Sequence, residues 1–272
     1  LLGTAVEAQR KLILQNPTDY KRIYIVPLVM SYHVVLEASN LIAEYLKREG
    51  KERYVLVQDD FRSTRKTLSF IYNFLGSGSE MVFSFGEPMD LFGNRVNSDG
   101  ISIDKTGKSL DLGDYFRSNG EIVYDIQRNK AYTRVLGDKI LERYYKINMV
   151  FSSHLVAFAA FQTILKTTGK DIYSLFTVPE EDIQLDYEEF CNVVERLHIR
   201  LRELERAGKV QLAEHLVQNI PNIVAHGIAN LGIYHVQKPL KRNDDGQIVT
   251  EDLKLLHFYH NRMNGYELEK YC

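Results

Sequence analysis

The stretch RIYIVPLVMSY, residues 22–32, decides the fold class that this sequence predicts. It is short, almost entirely apolar and rich in β-branched side chains, which is typical of a strand buried on both faces. Pro27 interrupts it, and because proline has no amide hydrogen to donate, we expect a strand end, an edge or a bulge there. A second apolar stretch, MVFSF at 81–85, predicts another short strand that ends before a Gly-Glu-Pro turn at 86–88.

Helical spacing of apolar residues accounts for much of the remaining chain. The segments 5–15 and 36–49 are predicted helices, the first stopped by Pro17 and the second closed by Gly50. The same spacing predicts further helices over 64–75, 131–146, 152–168, 186–207, 209–219 and 251–263.

Two segments are predicted to lie outside the helices. Residues 90–128 have few large apolar side chains and contain the turn signal NSDG at 97–100, so we interpret them as a surface connection between two units. A hairpin around an Asp-Asp-Gly turn is expected over 234–250. The predicted organisation is therefore an α/β part, residues 1–128, followed by a mainly α-helical domain, residues 129–272.

Composition excludes several classes of protein. The chain has 34 Lys+Arg and 36 Asp+Glu, a formal net charge of -2, which argues against a general nucleic-acid binder. Its two cysteines, Cys191 and Cys272, form neither a disulfide framework nor a CxxC zinc pattern, so we expect a reducing compartment. The longest apolar run, 155–161, is far shorter than the about 20 residues that a membrane-spanning helix needs.

The polar residues contain no motif typical of a metal site or of an activated nucleophile. The eight histidines show no spacing with Cys or carboxylates that is typical of a metal site, so no metal is expected. We interpret His215 and His226 as structural. A Gly-x-Ser-x-Gly elbow, a His-Glu-x-x-His pair and a phosphate-binding glycine loop are all missing from the sequence.

A basic zone extends over residues 47–66 and includes Arg62, Arg65 and Lys66. One interpretation is a solvated helix end, in which the charges have no specific partner. The other is a surface for anionic lipid or for an acidic carrier protein, since each basic group near such lipid contributes about 1 kcal/mol. The sequence leaves both interpretations open.

Four segments resemble the bacterial and mitochondrial glycerol-3-phosphate acyltransferases. RIYIVPLVMSYHVVLEASNLI, residues 22–42, is similar to that family's fourth acyltransferase block, and FSFGEPMDL, residues 83–91, to its next recurrent strand and turn. Residues 132–165 are similar to the start of the family's helical region, and LHFYHNRMNG, residues 256–265, to its late Tyr/Phe–Asn element. The likeness touches most of the chain and is most specific over 22–91.

The resemblance implies a fold and an activity. The fold is a partial acyltransferase-type mixed sheet with flanking helices over 1–128, then the helical domain. The activity is transfer of a fatty acyl group from acyl-CoA or acyl carrier protein to the sn-1 hydroxyl of glycerol 3-phosphate, in phospholipid biosynthesis. It implies no further cofactor, no nucleic-acid partner, and a cytoplasmic protein that is peripheral on the inner face of the membrane.

Substrate-binding roles are implied for Pro27, Ser31 and Tyr32, at the end of the first strand. The hydroxyls of Ser31 and Tyr32 would fix the orientation of a ligand in an otherwise apolar cleft. An edge-strand proline and ordinary core residues explain the same three positions equally well.

The sequence departs from the family pattern at its catalytic centre. In the family a histidine of a His-x4-Asp block acts as general base and the aspartate orients it. Residues 1–272 contain neither that block nor the arginine-bearing Glu-Gly-Thr-Arg-Ser-type block, so no catalytic residue is assigned. We expect an N-terminally truncated acyltransferase that is inactive alone; a member that has lost catalysis, an acyltransferase for another acceptor such as a lysophospholipid, and a non-catalytic lipid-associated or partner-binding module remain alternatives.

Overall fold

The computed structural model describes residues 1–33, 35, 37–50, 80–233 and 235–272. Helices and small sheets are mixed in it, as the sequence predicts at this coarse level. The chain divides into two compact units, residues 1–29 with 83–148, and residues 30–82 with 149–272. Each unit therefore combines two separate stretches of the chain, which differs from the contiguous division between 128 and 129 that the sequence predicts.

The helices, in chain order, are α1 (Leu2–Gln15), α2 (Ala38–Arg48), α3 (Ile126–Ile147), α4 (Ser152–Thr168), α5 (Ile172–Leu175), α6 (Tyr187–Arg206), α7 (Ile220–Asn230) and α8 (Leu253–His260). The strands are β1 (Tyr24–Ile25), β2 (Leu28–Tyr32), β3 (Met81–Phe85), β4 (Met89–Asp90), β5 (Arg95–Val96), β6 (Ser102–Ile103), β7 (Arg117–Ser118), β8 (Glu121–Ile122), β9 (Met149–Val150), β10 (Gln184–Leu185), β11 (Gln211–Leu212), β12 (Lys241–Arg242) and β13 (Ile248–Val249). The helix predicted over 64–75 lies outside the described residues.

The first unit packs α1 and α3 beside a four-stranded sheet of order β1-β4-β5-β6. Its core consists of Val6, Ile13, Met89, Leu91, Phe92, Leu112, Phe116 and Leu136. The interpretation of 90–128 as a surface connection is wrong, because this segment supplies strands of the sheet and the fully buried Leu91 and Phe116. Its strands are only two residues long, so no alternation extends far enough to be recognised in the sequence.

The stretch 22–32 forms two strands that are separated at Pro27. The carbonyl of Pro27 accepts a hydrogen bond of 2.8 Å from the amide of Gly86, and a Cβ at Gly86 would lie 3.3 Å from the proline ring. The strand end expected at Pro27 is confirmed. Burial on both faces is wrong, since Leu28 and Met30 are 42% and 47% exposed: β2 belongs to a two-stranded sheet with β3, and its alternate residues face outward.

The second unit is built around α4. Residues 152–162 of this helix are all buried, and α6, α7 and α8 pack against it, while α2 packs on α8. A helix that is apolar on every side belongs in a core rather than on a surface. The bounds predicted for α4, 152–168, are confirmed, as is the hairpin, in which β12 pairs with β13 in antiparallel register.

The segment 209–219 departs from its predicted helix. It contains β11 and a short 3-10 turn at Glu214–Val217. β11 pairs in parallel with β9, with Gln211 opposite Met149. The helix prediction is wrong because this pairing joins residues about 60 positions apart, beyond the reach of local periodicity.

Among the helices of the described ranges, none combines the length and the apolar character that crossing a bilayer would require.

Asp90→Ala is a test of how the first unit is held together. The Asp90 carboxylate is fully buried and accepts hydrogen bonds from the amides of Phe92 and Asn94 at 2.8 and 2.9 Å. Leaving these donors without an acceptor should lower the free energy of unfolding by about 2 kcal/mol or more, measured by urea denaturation. Asp99→Ala, at an exposed turn position, should change it by less than about 0.5 kcal/mol; equal effects would contradict the role assigned to Asp90.

Candidate histidine site

Polar groups converge in the second unit around the N-terminus of α4. We call this set the histidine cluster; it consists of His33, His154, His215, His226, Ser152, Ser153 and Glu80. The members come from five separate segments of the chain, so the fold alone brings them together.

His154 belongs to the first turn of α4 and closes that turn on itself. Its Nδ1 accepts a hydrogen bond of 3.2 Å from the amide of Phe151, the residue before the helix. Because an amide can only donate, Nδ1 carries no proton, and the proton lies on Nε2. Nε2–H then donates to the carbonyl of Tyr32 at 3.1 Å. His154 thereby links the start of α4 to the end of β2.

The pairing of β9 with β11 places His215 beside the same helix start. Val150 lies opposite Leu212 in parallel register, and the next residues on the two segments lead into Ser152 and His215. The amide of Ser152 donates to Nε2 of His215 over 2.8 Å. By the same argument as for His154, the proton of neutral His215 lies on Nδ1. Nδ1 faces a carboxylate oxygen of Glu80 at 3.6 Å.

The close approach of α7 to α4 brings His226 into the cluster. Nδ1 of His226 lies 2.8 Å from the hydroxyl of Ser152, and its ring stacks on that of His215 with centroids 4.5 Å apart. Gly227 allows this approach, since a Cβ there would lie 2.7 Å from the carbonyl oxygen of Ser152. A larger residue at position 227 would force the two helices apart.

His33 follows the last residue of β2 and completes the cluster. Its Nδ1 lies 2.7 Å from the hydroxyl of Ser153, and its Nε2 lies 4.0 Å from Glu80. Both His33 and Ser153 are buried, 2% and 0% exposed. A serine, a histidine and a carboxylate in this order resemble a nucleophile triad, but the hydroxyl is closed off from any substrate. The arrangement therefore works as a hydrogen-bonded link between β2 and α4.

Burial keeps the imidazoles of His33, His154 and His215 neutral. It lowers the pKa of His33 and of His154 to about 3 and that of His215 to about 4. For His33 and His215, the neighbouring imidazoles lower the pKa further by charge repulsion. At neutral pH these three rings are hydrogen-bonding groups without charge, so neither His33 nor His215 offers Glu80 a cation to pair with.

Three groups of the cluster come close enough to raise the question of a metal. His33, Glu80 and His215 each present one ligand atom, and these atoms lie within 4.8 Å of one another. Ligand atoms around a tetrahedral zinc with bonds of about 2 Å are about 3.3 Å apart, so the group would have to contract. The bond from Ser152 to His215 is the larger obstacle, because it leaves the proton on the nitrogen that would bind the metal. These residues fit a proton-bearing hydrogen-bond network better than a metal centre.

The three residues predicted to bind substrate, Pro27, Ser31 and Tyr32, have different surroundings in the structure. Pro27 lies between β1 and β2, where the first strand ends. The hydroxyl of Ser31 is buried and has no hydrogen-bond partner among the described residues, and the ring of Tyr32 lies under the guanidinium of Arg262 at 4.6 Å. The basic zone residues Arg62, Arg65 and Lys66 lie outside the described part of the chain.

The sequence did not reveal the histidine cluster. Its members span positions 33 to 226, and no spacing relates them. The FSSH sequence at 151–154 was the one local signal, because polar residues that open an otherwise apolar helix need buried partners. The structural interpretation of His215 and His226 agrees with their hydrogen bonds to Ser152.

Comparisons with protein-family models, with curated proteins and with solved structures found no match to this chain.

The cluster predicts that acid destabilises the fold well above the range in which carboxylates titrate. In the unfolded chain a histidine has its ordinary pKa of about 6.5. A buried histidine with a lowered pKa binds a proton less readily in the folded protein. The contribution of these neutral histidines to the free energy of unfolding is therefore fully present above about pH 6.5 and decreases as the pH drops toward 4. Between pH 7.5 and 5.5, each histidine with a strongly lowered pKa, His33 among them, should cost about 1.4 kcal/mol of unfolding free energy, measured by urea denaturation.

His33→Gln isolates one of these contributions. The variant should lose less stability between the two pH values than the native chain, by about 1.4 kcal/mol, whatever its stability at pH 7.5. Ser153→Ala is the matched control, because it removes the hydrogen bond to His33 but no titrating group. An unchanged pH dependence in His33→Gln would contradict the neutral state assigned to the cluster.

Proposed function

We propose that this chain is part of a glycerol-3-phosphate acyltransferase. The observation that carries the proposal is that strands from the two segments 22–42 and 83–91, within the most specific part of the resemblance, pair with each other. β1 pairs with β4, with Tyr24 opposite Asp90, and β2 pairs with β3. About 50 residues separate the segments in the sequence. They pair twice, through β1 and β4 in the four-stranded sheet and through β2 and β3 in a separate two-stranded sheet, which supports their being neighbours in an acyltransferase-type unit.

The proposed reaction joins the sn-1 hydroxyl of glycerol 3-phosphate to the acyl carbon of a thioester. The new C–O bond forms as the C–S bond breaks, and the hydroxyl proton leaves for a general base and ends on the released thiol. His33 and His154 are poor candidates for this base, since both are buried and held by hydrogen bonds. The resemblance assigns the base to the His-x4-Asp block, which residues 1–272 lack.

Substrate contacts of Ser31 and Tyr32 are part of the proposal. The buried hydroxyl of Ser31 has no partner within the described residues, and a buried hydroxyl without a partner favours a contact with a ligand or another segment. The proposed partners are acyl-CoA or acyl carrier protein, glycerol 3-phosphate and the lipid surface at the inner face of the membrane. Salt-sensitive flotation with anionic liposomes is the expected behaviour of the basic zone.

The test follows thiol release. Protein expressed from the whole reading frame that contains residues 1–272 is incubated with palmitoyl-CoA or palmitoyl acyl carrier protein, with and without glycerol 3-phosphate. We expect release of thiol that depends on glycerol 3-phosphate. Release only with a lysophospholipid would change the acceptor, and folded protein that releases no thiol with any acceptor would contradict the proposal.

Residues 1–272 alone serve as the control in this assay. Without the catalytic block, we expect no release above the rate of spontaneous thioester hydrolysis. Turnover by residues 1–272 would show that the general base lies within this chain and would contradict its assignment to the His-x4-Asp block.

A further inference from the structure

The second unit contains an apolar groove with a volume of about 430 Å³ between α2, α5 and α8. We call it the helical groove. It is lined by Leu41, Ile42, Tyr45, Leu46, Ile172, Tyr173, Phe176, His257, Phe258 and Asn261. Its volume lies in the range of clefts that hold small ligands.

The lining carries no charge at neutral pH. None of the lining residues, all in the described part of the chain, is Asp, Glu, Lys or Arg. His257 is the one lining group that can gain a charge near neutral pH, and burial, with a smaller contribution from His260, lowers its pKa to about 4. Its ring packs edge-on against Phe176, with centroids 5.5 Å apart. Such walls offer dispersion contacts but few hydrogen bonds, which suits a hydrocarbon chain better than a sugar or phosphate.

Charged groups appear where α2 ends. The guanidinium of Arg48 lies 5.9 Å from the centroid of the Tyr45 ring, which lines the groove. Lys47 precedes it, and Glu49 is close enough to act on the Tyr173 hydroxyl. An apolar groove with charged groups of both signs at its rim is suited to a ligand that has an apolar chain and a charged head.

The groove shares α8 with the end of β2. Arg262, just after α8, covers the ring of Tyr32. The hydroxyl of Tyr259 accepts a hydrogen bond of 3.0 Å from the amide of Val35, in the loop that leads from β2 to α2. One wall of the groove is thereby fastened to the 22–42 segment, the part of the chain that most resembles an acyltransferase block.

We propose that the helical groove binds the fatty acyl chain of the thioester donor. The choice of a single hydrocarbon chain follows from the uncharged lining and the charged rim. That this hydrocarbon chain belongs to the thioester donor rests on the proposed function.

Palmitate binding to residues 1–272 tests the groove directly. Displacement of a fluorescent fatty acid gives a dissociation constant for saturated fatty acids of 8 to 16 carbons, kept below their aggregation concentrations. Affinity should rise about fourfold for each added methylene until the groove is filled. Palmitoyl-CoA should compete with palmitate, and CoA alone should not.

A lining variant and a matched control separate this site from general adsorption. Leu41 and Ile172 are 42% and 37% exposed at the groove, so the double change Leu41→Gln and Ile172→Gln should preserve the fold, checked by circular dichroism. It should weaken palmitate binding at least tenfold. Ile199→Gln replaces a 55% exposed isoleucine on α6 that does not line the groove, and it should leave binding unchanged.

The assignment of the groove as the acyl-chain site would be contradicted by an equal loss of palmitate affinity in both variants. No loss of affinity in the lining variant, or no saturable binding to folded protein, would contradict it as well. If the whole reading-frame protein releases thiol while residues 1–272 do not bind palmitate, acyl-chain binding in the groove is wrong and the proposed function stands. If palmitate binds with the expected variant pattern and no thiol is released, the proposed function is wrong and an acyl-chain site remains.

Discussion

The first turn of α4 is buried, and its polar groups must find hydrogen-bond partners inside the protein. An amide buried without an acceptor costs about 1–3 kcal/mol, and two serine hydroxyls add to the demand. Neutral imidazoles meet it: His154 accepts from Phe151, and His215 accepts from Ser152. A histidine can serve in this way only while uncharged, so the same residues that complete the core make the fold sensitive to acid.

This constraint also limits where chemistry can occur. The histidines are committed to holding α4 against β2, β11 and α7, and the Ser153–His33 pair is closed to solvent. The proposed ligand contacts lie at the end of β2 and in the helical groove, which meet along α8. In the proposed acyltransferase, the histidine cluster has a structural role, the helical groove binds the acyl chain, and proton transfer falls to a block that residues 1–272 do not contain.

The local pattern of apolar residues is enough to predict the elements that are long or strongly apolar. The bounds of α4 and β3 were predicted without error, since one is uniformly apolar and the other a compact apolar run. Two-residue strands within 90–128 and the parallel partner of β9 depend on distant pairing, which periodicity does not report. α7 was not predicted at all: Pro221 and Gly227 weaken its helical pattern, yet Gly227 is what lets it reach Ser152. The histidine cluster could not be predicted for the same reason. Its members lie close together in the fold, but no sequence spacing relates them.

The tautomer of His215 shows whether its imidazole accepts the hydrogen bond from the Ser152 amide on which the start of α4 depends. Long-range ¹H–¹⁵N correlation spectra of the histidine side chains at pH 7 distinguish protonated from unprotonated ring nitrogens. We expect a neutral His215 with an unprotonated Nε2 and a proton on Nδ1, as the hydrogen bond that it accepts from the Ser152 amide requires. A proton on Nε2, or a doubly protonated ring, would contradict this expectation, because the start of α4 would then lack the acceptor on which this arrangement depends.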